Sequence, residues 1–397
     1  MDPRRYTSST FGSAQREPGN KWAFDYFLPA RLPRQLALDD KTVLALSDAD
    51  SALGYLQGLG QLVRDPDLLI GPFVTREAVA SSRIEGTRAS LSDVLKAEQL
   101  NETERTNDTA EVIRYLRASR LGFDLINKLP ISQRLICQIH EALMSGVRGE
   151  EKQPGTIRTS PVWIGSGTHR IEDAQYVAPL PVHIPDLLSD WEDFVNDLDS
   201  KLPVLARCAL MHYQFETIHP FLDGNGRIGR LLVGLMLVNE KRLTRPLLYL
   251  SGYLENHRSE YYDRLQAVRE KGEIQQWIQF FLRAVRDQAL DSVKRASGIV
   301  ALRERYLTES QKDRSRVAAI VPLIFRNPYI SVQDVQQAVG VSDQGARDLL
   351  SKAEQYGWIT KYTTIGRGGR TLWAAEEIYN IIEDPLDYDT ENQESRI

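Results

Sequence analysis

The chain has 397 residues, 42% hydrophobic and 26% charged, which excludes global disorder and a fibrous architecture and leaves room for two or three domains. Its formal charge of -5 provides no chain-wide cationic field for nucleic acid or anionic lipid, so any basic binding surface must be local. Cys137 and Cys208 are too few for a disulfide framework, and no run of eighteen apolar residues marks a membrane span; with no signal-peptide pattern at its start, the chain reads as cytoplasmic, with no membrane partner.

The first twenty residues are polar and rich in Gly, Ser and Pro, and predict a loose arm, followed by "FLPARLPRQL", whose prolines exclude a helix interior. From "DADSALGYLQGLGQLV" onward, apolar residues recur at helical spacing, and helices dominate to about residue 290. They include "TREAVASSRIE", "DTAEVIRYLRASRLGFDLI", "SQRLICQIHEALM", "IPDLLSDWEDFVNDL", "VLARCALMHYQFETI", "RIGRLLVGLMLVNE" and "SEYYDRLQAVREKG". Between Gly155 and Pro185, β-branched and aromatic residues surround a polar, Gly-bearing middle, which predicts a hairpin. A second unit begins near residue 312: a helix, a turn at Gly340, a helix capped by Ser342, then two strands around a Gly/Arg tip, resembling a winged helix-turn-helix. Residues 312–374 hold nine Lys/Arg and five Asp/Glu, a local surplus of positive charge. The tail after Ala375 is acidic and is expected to be disordered.

The stretch "HPFLDGNGRIGR", His219 to Arg230, lies between two apolar helical runs. Gly224, Asn225 and Gly226 tolerate positive φ, so successive N–H groups can converge on an anion at the start of the following helix. Arg227 and Arg230 are neighbours on that helix's first turn, where cations cost roughly 0.3–1 kcal/mol each unless an anion is bound. Two of them point to a polyphosphate. Asp223 beside that anion calls for a divalent cation between them, and magnesium fits its oxygen chemistry. His219 alone in the stretch has an ordinary pKa near neutrality, suited to taking a proton from an incoming hydroxyl. A reading as a metal hydrolase built on His212 and His219 lacks a third ligand at suitable spacing.

These residues match the Fic motif, H-x-F-x-[DE]-G-N-G-R-x-x-R, at His219, Phe221, Asp223, Gly224, Asn225, Gly226, Arg227 and Arg230. The resemblance spans about residues 20 to 290. It implies a mainly α fold, a Fic-type helical core with a β-hairpin flap, to which the winged helix-turn-helix is appended. It also implies transfer of AMP from ATP to a protein Ser, Thr or Tyr hydroxyl, self-modification included. By position, His219 would be the general base and Asp223 the magnesium ligand; Gly224, Asn225 and Gly226 would form the anion hole, Arg227 and Arg230 would hold the β- and γ-phosphates, and Phe221 would anchor the loop. "GYLENHRSEYYDRL" resembles the nucleoside segment, with Asn256, and Tyr261 or Tyr262, against ribose or adenine. Residues 162–177 resemble the flap that aligns a target peptide by strand addition.

In "SSRIEGT", Gly86 reads as a helix cap, which leaves Glu85 in a last turn where the dipole disfavours an acid. Pairing with Arg83 or Arg88, or solvation, would satisfy it. However, Ser81, Glu85 and Gly86 also match the pattern [ST]-x-x-x-E-[GN] of Fic proteins that carry an inhibitory helix. That resemblance implies that Glu85 pairs with Arg230 in the place of the γ-phosphate. The expected layout is then an N-terminal region with the inhibitory helix at 1–110, the catalytic core at 111–295, the winged helix at 305–375 and the acidic tail at 376–397. Alternatives are removal of AMP, with Glu85 activating water, and a chiefly DNA-binding role through residues 342–370, with Arg347, Arg367 and Arg370 near phosphates. Helical Fic proteins pair, so a homodimer is a further expectation.

Overall fold

The computed structural model describes every residue except 18–22, 63–66, 147–149, 166–169, 312, 367 and 384–397. Fifteen α-helices are present among the described residues. In chain order they are α1 (Asp40–Leu62), α2 (Asp67–Ile84), α3 (Leu91–Ala97), α4 (Asn107–Leu125), α5 (Gln133–Met144), α6 (Ile184–Val195), α7 (Val204–Ile218), α8 (Asn225–Asn239), α9 (Ser251–Asn256), α10 (Arg258–Lys271), α11 (Ile274–Ser310), α12 (Val321–Arg326), α13 (Val332–Val339), α14 (Asp343–Gln355) and α15 (Glu376–Glu383). Seven short strands form three small sheets: β1 (Gly12–Arg16) with β2 (Asp25–Pro29), β3 (Trp163–Gly165) with β4 (Ala174–Val177), and β5 (Tyr329–Ser331), β6 (Thr360–Ile365) and β7 (Arg370–Ala374) in the order β5-β7-β6.

The centre of the molecule is α7. Every residue from Leu205 to Ile218 is buried, as expected of a helix with no polar face that is surrounded on all sides. Around it lie α6, α8 and α11, and buried indoles bind its carbonyls: Trp191 Nε1 donates to Met211 O at 3.1 Å and Trp277 Nε1 to Ala209 O at 2.8 Å. These bonds fix the depth at which α7 ends, and hence the position of the loop that follows it. Among the described residues no helix is long and apolar enough to cross a membrane.

Three expectations change in three dimensions. The first residues are not a loose arm: Thr7 N donates to Glu270 O at 2.7 Å, Met1 is buried, and β1 pairs antiparallel with β2 from Gly12↔Pro29 to Arg16↔Asp25. The helix expected from Thr75 begins at Asp67 and runs through Pro72. α11 is one continuous helix of 37 residues, Ile274–Ser310, which leads from the central core into the C-terminal unit. Finally, the acidic tail starts as the helix α15, with Ile378 and Ile382 fully buried, and Arg295 Nη1 donates to the carbonyls of Ile381 at 2.7 Å and Ile382 at 2.9 Å. An apolar stripe at helical spacing outweighs the charge of that segment.

In the C-terminal unit, Ser331 and Asp334 form a capping box on α13, Gly340 ends it at φ 69°, and Ser342 Oγ caps α14 by accepting from Gly345 N at 3.2 Å. The unit is seated on α2 and α3. Asn327 Nδ2 donates to Leu95 O at 3.0 Å, Gln99 Nε2 to Tyr329 O at 3.2 Å, and Arg370 Nη1 to Gln99 O. Deeper in, Asp291 on α11 is fully buried between Arg76 of α2 at 2.5 Å and Arg295 at 2.7 Å.

Candidate active site

α7 ends at Ile218, and His219 takes the left-handed conformation, φ 51° and ψ 60°, as its C-cap. A non-glycine residue there costs about 1 kcal/mol or more and needs surroundings that hold it. Those surroundings are mainly Arg158, whose guanidinium is buried and donates to four carbonyls: His219 O at 2.7 Å, Ile218 O at 3.2 Å, Ser160 O at 3.0 Å and Pro179 O at 2.7 Å. One side chain therefore joins the histidine loop to both approaches to the hairpin. Desolvation lowers its pKa to about 10.

The loop is closed from within by Asn225, whose Oδ1 accepts from Phe221 N and whose Nδ2 donates to Phe221 O, both at 2.8 Å. Its side chain is consumed in holding the turn, and only its backbone N–H is available for an anion. Phe221 is fully buried and stacks on His140 with ring centroids 3.8 Å apart. His140 Nδ1 accepts from Gly155 N at 2.8 Å, so its Nε2–H donates to Asp223 O at 3.0 Å. The ring is thereby fixed as one neutral tautomer, and burial brings its pKa down to about 4.

Gly224, at φ 77°, is the N-cap of α8, and the first helical bond runs from Ile228 N to Gly224 O. The N–H groups of Asn225, Gly226 and Arg227 therefore have no intrahelical acceptor and converge at the positive end of the helix. His219, the C-cap of α7, stands at the other end of the same loop. The nearest partner of its Nδ1 is Glu216 O at 3.4 Å, a long contact that orients the ring with the proton on Nδ1 and leaves Nε2 as the acceptor nitrogen. Burial, and then the charge of Arg158, lower His219 to about 4, so the imidazole is neutral at pH 7 and able to accept a proton.

Asp223 is half exposed at the mouth; its Oδ1 accepts from Gly224 N at 2.5 Å and lies 3.4 Å from Arg227 Nη2. No group of three or more His, Cys, Asp or Glu with metal-binding geometry occurs among the described residues. A single outward carboxylate beside a phosphate nest suits a metal that arrives with phosphates supplying its other oxygens, which is how magnesium is usually held. Arg227 is buried, 3.6 Å from Met144 Sδ and 3.9 Å from Glu111, and its Nε has no partner.

Arg230 is more tightly held. Its side chain is 1% exposed; Nε donates to Ser81 Oγ at 2.9 Å, and Nη2 to Ser81 O at 2.8 Å and Glu85 Oε1 at 2.7 Å. Glu85 follows the last residue of α2, and Gly86 turns the chain at φ 103°. Burial raises the Glu85 carboxyl, and Arg230 more than reverses this, so its pKa is lowered; the same pairing raises Arg230. Neither Arg83 nor Arg88 is the partner of Glu85: Arg83 is 3.8 Å from Glu255, and Arg230 takes Glu85. Gly226 leaves the space for this pair, because a Cβ there would collide with Glu85 Oε1 and Arg230 Nη1.

The nucleoside segment divides. Tyr261 is buried with its OH against His212 Nε2 at 2.9 Å, which makes it a core residue, while His212 Nδ1 is taken by Gly229 O at 3.0 Å. Both nitrogens of His212 are thus used internally. Tyr262, 39% exposed, lies within the electrostatic reach of Glu85 and Arg230. Asn256 is exposed at the end of α9, and no hydrogen bond joins it to the loop among the described residues. In the flap, β3 pairs with β4 from Trp163↔Val177, and the tip, 166–169, lies outside the described residues. In the C-terminal unit, Arg347 is bonded to Asp343 at 2.6 Å and Arg370 to Gln99 O, and Arg367 lies outside the described residues.

Sequence reasoning did not single out Arg158, His140, Arg269 or Glu216. Arg269 Nε donates to Thr217 Oγ1 at 3.1 Å and stacks 3.9 Å over Tyr176, bracing the end of α7. No spacing signal marks a lone Arg or His as the support of a loop sixty residues away.

Residues 43–124 match the family model described as Fic/DOC family N-terminal, and residues 130–237 the one described as Fic/DOC family. A protein adenylyltransferase Fic of Drosophila willistoni is 30% identical over 169 residues, 42% of this chain and 29% of that relative. The Drosophila virilis protein of the same name is 24% identical over 319 residues, 78% of this chain and 59% of its own length. The chain thus spans less than two thirds of either relative. A Fic family protein from Desulfovibrio desulfuricans G20 shares the fold with a TM-score of 0.54 at 23% identity, covering 86% of this chain and 97% of that one. A Fic domain containing signaling protein from Bacteroides thetaiotaomicron VPI-5482 gives a TM-score of 0.51 at 18% identity, over 65% of this chain and 97% of that one. With the motif and its supporting loop in place, residues 43–124 and 130–237 are identified as Fic/DOC family domains.

Proposed function

We propose that the chain is a protein adenylyltransferase held in check by Glu85. The observation that carries this reading is the convergence on one loop of a neutral His219 with a free Nε2, three open N–H groups at the start of α8, and Arg230 already neutralised by a carboxylate. ATP is the substrate: the N–H nest takes phosphate oxygens, Arg230 takes the terminal phosphate once Glu85 has left it, and Asp223 would hold magnesium. Bound there, magnesium neutralises phosphate charge and leaves the α-phosphorus open to attack. A target hydroxyl oxygen attacks that phosphorus, its proton passes to His219 Nε2, the bond to the β-phosphate oxygen breaks, and pyrophosphate leaves. The arriving polyphosphate raises the low pKa of His219 and improves it as a base.

The target is proposed to dock along β3, which pairs with β4 on one side only and presents Trp163 and Ile164, 39% and 42% exposed. The C-terminal unit is read as a winged helix used for contact with protein rather than DNA, because Arg347 and Arg370 are already engaged internally; salt-dependent binding of duplex DNA would overturn that assignment.

The test is incubation with α-labelled or γ-labelled ATP and magnesium, with label on protein read after a denaturing gel. Label from the α position alone, absent in His219→Ala, is the expected result. Label from the γ position would mean phosphoryl transfer, and release of AMP from a pre-modified chain would mean removal; either result refutes the proposal.

A further inference from the structure

Glu216 stands out among the buried groups that the reaction above does not use. It is 7% exposed, lies in the last turn of α7 where the helix dipole disfavours an acid, and its Oε1 has no hydrogen-bond partner. A buried carboxylate oxygen without a partner carries a large desolvation penalty and calls for a physical reason. Space is reserved for it: a Cβ on Gly229 would collide with that same oxygen. The two glycines Gly226 and Gly229 thus make room for two carboxylates, Glu85 and Glu216, both of which act electrostatically on Arg230.

We propose that Glu216 is the second carboxylate partner of Arg230, the one that takes over the guanidinium when Glu85 releases it. This rests on Glu85 being the brake. With its side chain 1% exposed, Arg230 cannot turn to water, so departure of Glu85 alone would leave a buried cation with only Ser81 as acceptor. Glu77 also faces it, but both of its oxygens are committed, Oε2 to Ser251 N at 2.9 Å and Oε1 to the Ser251 hydroxyl. Glu216 has the open oxygen.

Arg230 and Gly229 face Glu216 from α8, Arg269, Tyr261 and Tyr262 from α10, and Glu85 from the end of α2, while His219 donates to its carbonyl. Burial pushes the Glu216 carboxyl up to about 7; Arg230 opposes this, Glu85 adds to it and Arg269 opposes it. Loss of Glu85 therefore favours ionisation of Glu216 just as Arg230 needs an anion. Glu216 is a positioning residue in this scheme. It lowers the cost of opening and keeps the guanidinium at the phosphate site.

The experiment is a double-mutant cycle on transfer of AMP from α-labelled ATP to the chain itself, using the parent, Glu85→Gly, Glu216→Gln and the double variant. With Glu216 neutral, the open state loses its replacement pair and the closed state gains, so the factor by which Glu85→Gly raises transfer should grow about tenfold in the Glu216→Gln background. Glu216→Asp, which keeps the charge, should restore part of the difference, and Asp against Ala replaces the Gln comparison if the Gln variant does not fold. An unchanged or smaller factor would overturn the proposal, since a purely structural role lowers both backgrounds alike. Failure of Glu85→Gly to raise transfer in any background would instead strike at the inhibitory reading itself.

Discussion

Replacing Glu85 by glycine removes one charge-assisted bond of 2.7 Å from a guanidinium that retains both bonds to Ser81. Breaking a fully buried pair costs about 3–5 kcal/mol, but the Glu85 side chain is 34% exposed and solvent screens its side of the pair. About 2 kcal/mol remains for the closed state, a factor of roughly 30 in population. If the terminal phosphate must displace Glu85 from Arg230, initial rates of AMP incorporation at fixed magnesium and ATP should rise by about that factor, within roughly tenfold and hundredfold. The measurement compares the two proteins at equal concentration after thermal unfolding has shown both to be folded. Rates within twofold of each other would refute the reasoning, because Arg230 would then be available to phosphate despite the pair.

Ser81→Ala removes the acceptor of Arg230 Nε in both states, because the guanidinium keeps its Ser81 bonds when Glu85 departs; denaturant titration should show a loss of about 1 kcal/mol, while the factor by which Glu85→Gly raises transfer should stay within about twofold. Arg158→Ala unbinds four carbonyls around the left-handed His219; denaturant titration should show a loss of more than about 3 kcal/mol together with a fall in transfer, and a loss under about 1 kcal/mol would refute the clamp. His140, His212 and His219 all have folded-state pKa values near 4 against an ordinary 6.5, so the unfolded chain binds more protons between those values and stability should rise with pH across that window. Glu216, raised to about 7 from 4.5, acts in the opposite direction, as do Glu77, Glu98 and Glu255, which burial also raises. The histidine share is read by comparison: as pH drops from about 6.5 to 4, His212→Gln should lose less melting temperature than the parent, and equal losses would refute it.

α2 connects Glu85 with the C-terminal unit. Arg76 in its middle meets Asp291, Ser81 and Glu85 at its end meet Arg230, and Gln99, just beyond α3, accepts from Arg370 of the C-terminal unit. Anything that shifts the C-terminal unit therefore acts on the helix that positions Glu85.

The local features of the site were legible in the sequence because they are local in origin. The spacing of His219, Asp223 and the two arginines, the small residues at the loop, and the caps at Ser331 and Ser342 depend on neighbours within a turn or two, where periodicity and φ preference act. What seals the loop lies far off in the chain and has no local signature. Arg158 reaches His219 over 61 residues, His140 reaches Asp223 over 83, and Ser81 reaches Arg230 over 149. The tail and the N-terminal arm looked unstructured from composition, yet Ile378, Ile382 and Met1 are buried once α11 and the flap provide a surface for them. Asn225 and Tyr261 show the same division from the other side. Residue type made Tyr261 a reasonable ligand contact, and only the packed structure decided that it satisfies His212 and that the Asn225 side chain ties its own loop while its N–H stays at the start of α8. Sequence alone determined which chemical groups stand together in the loop. The tertiary fold decided which of them remain free to meet a nucleotide, because burial commits a polar group to whatever partner the packing places beside it.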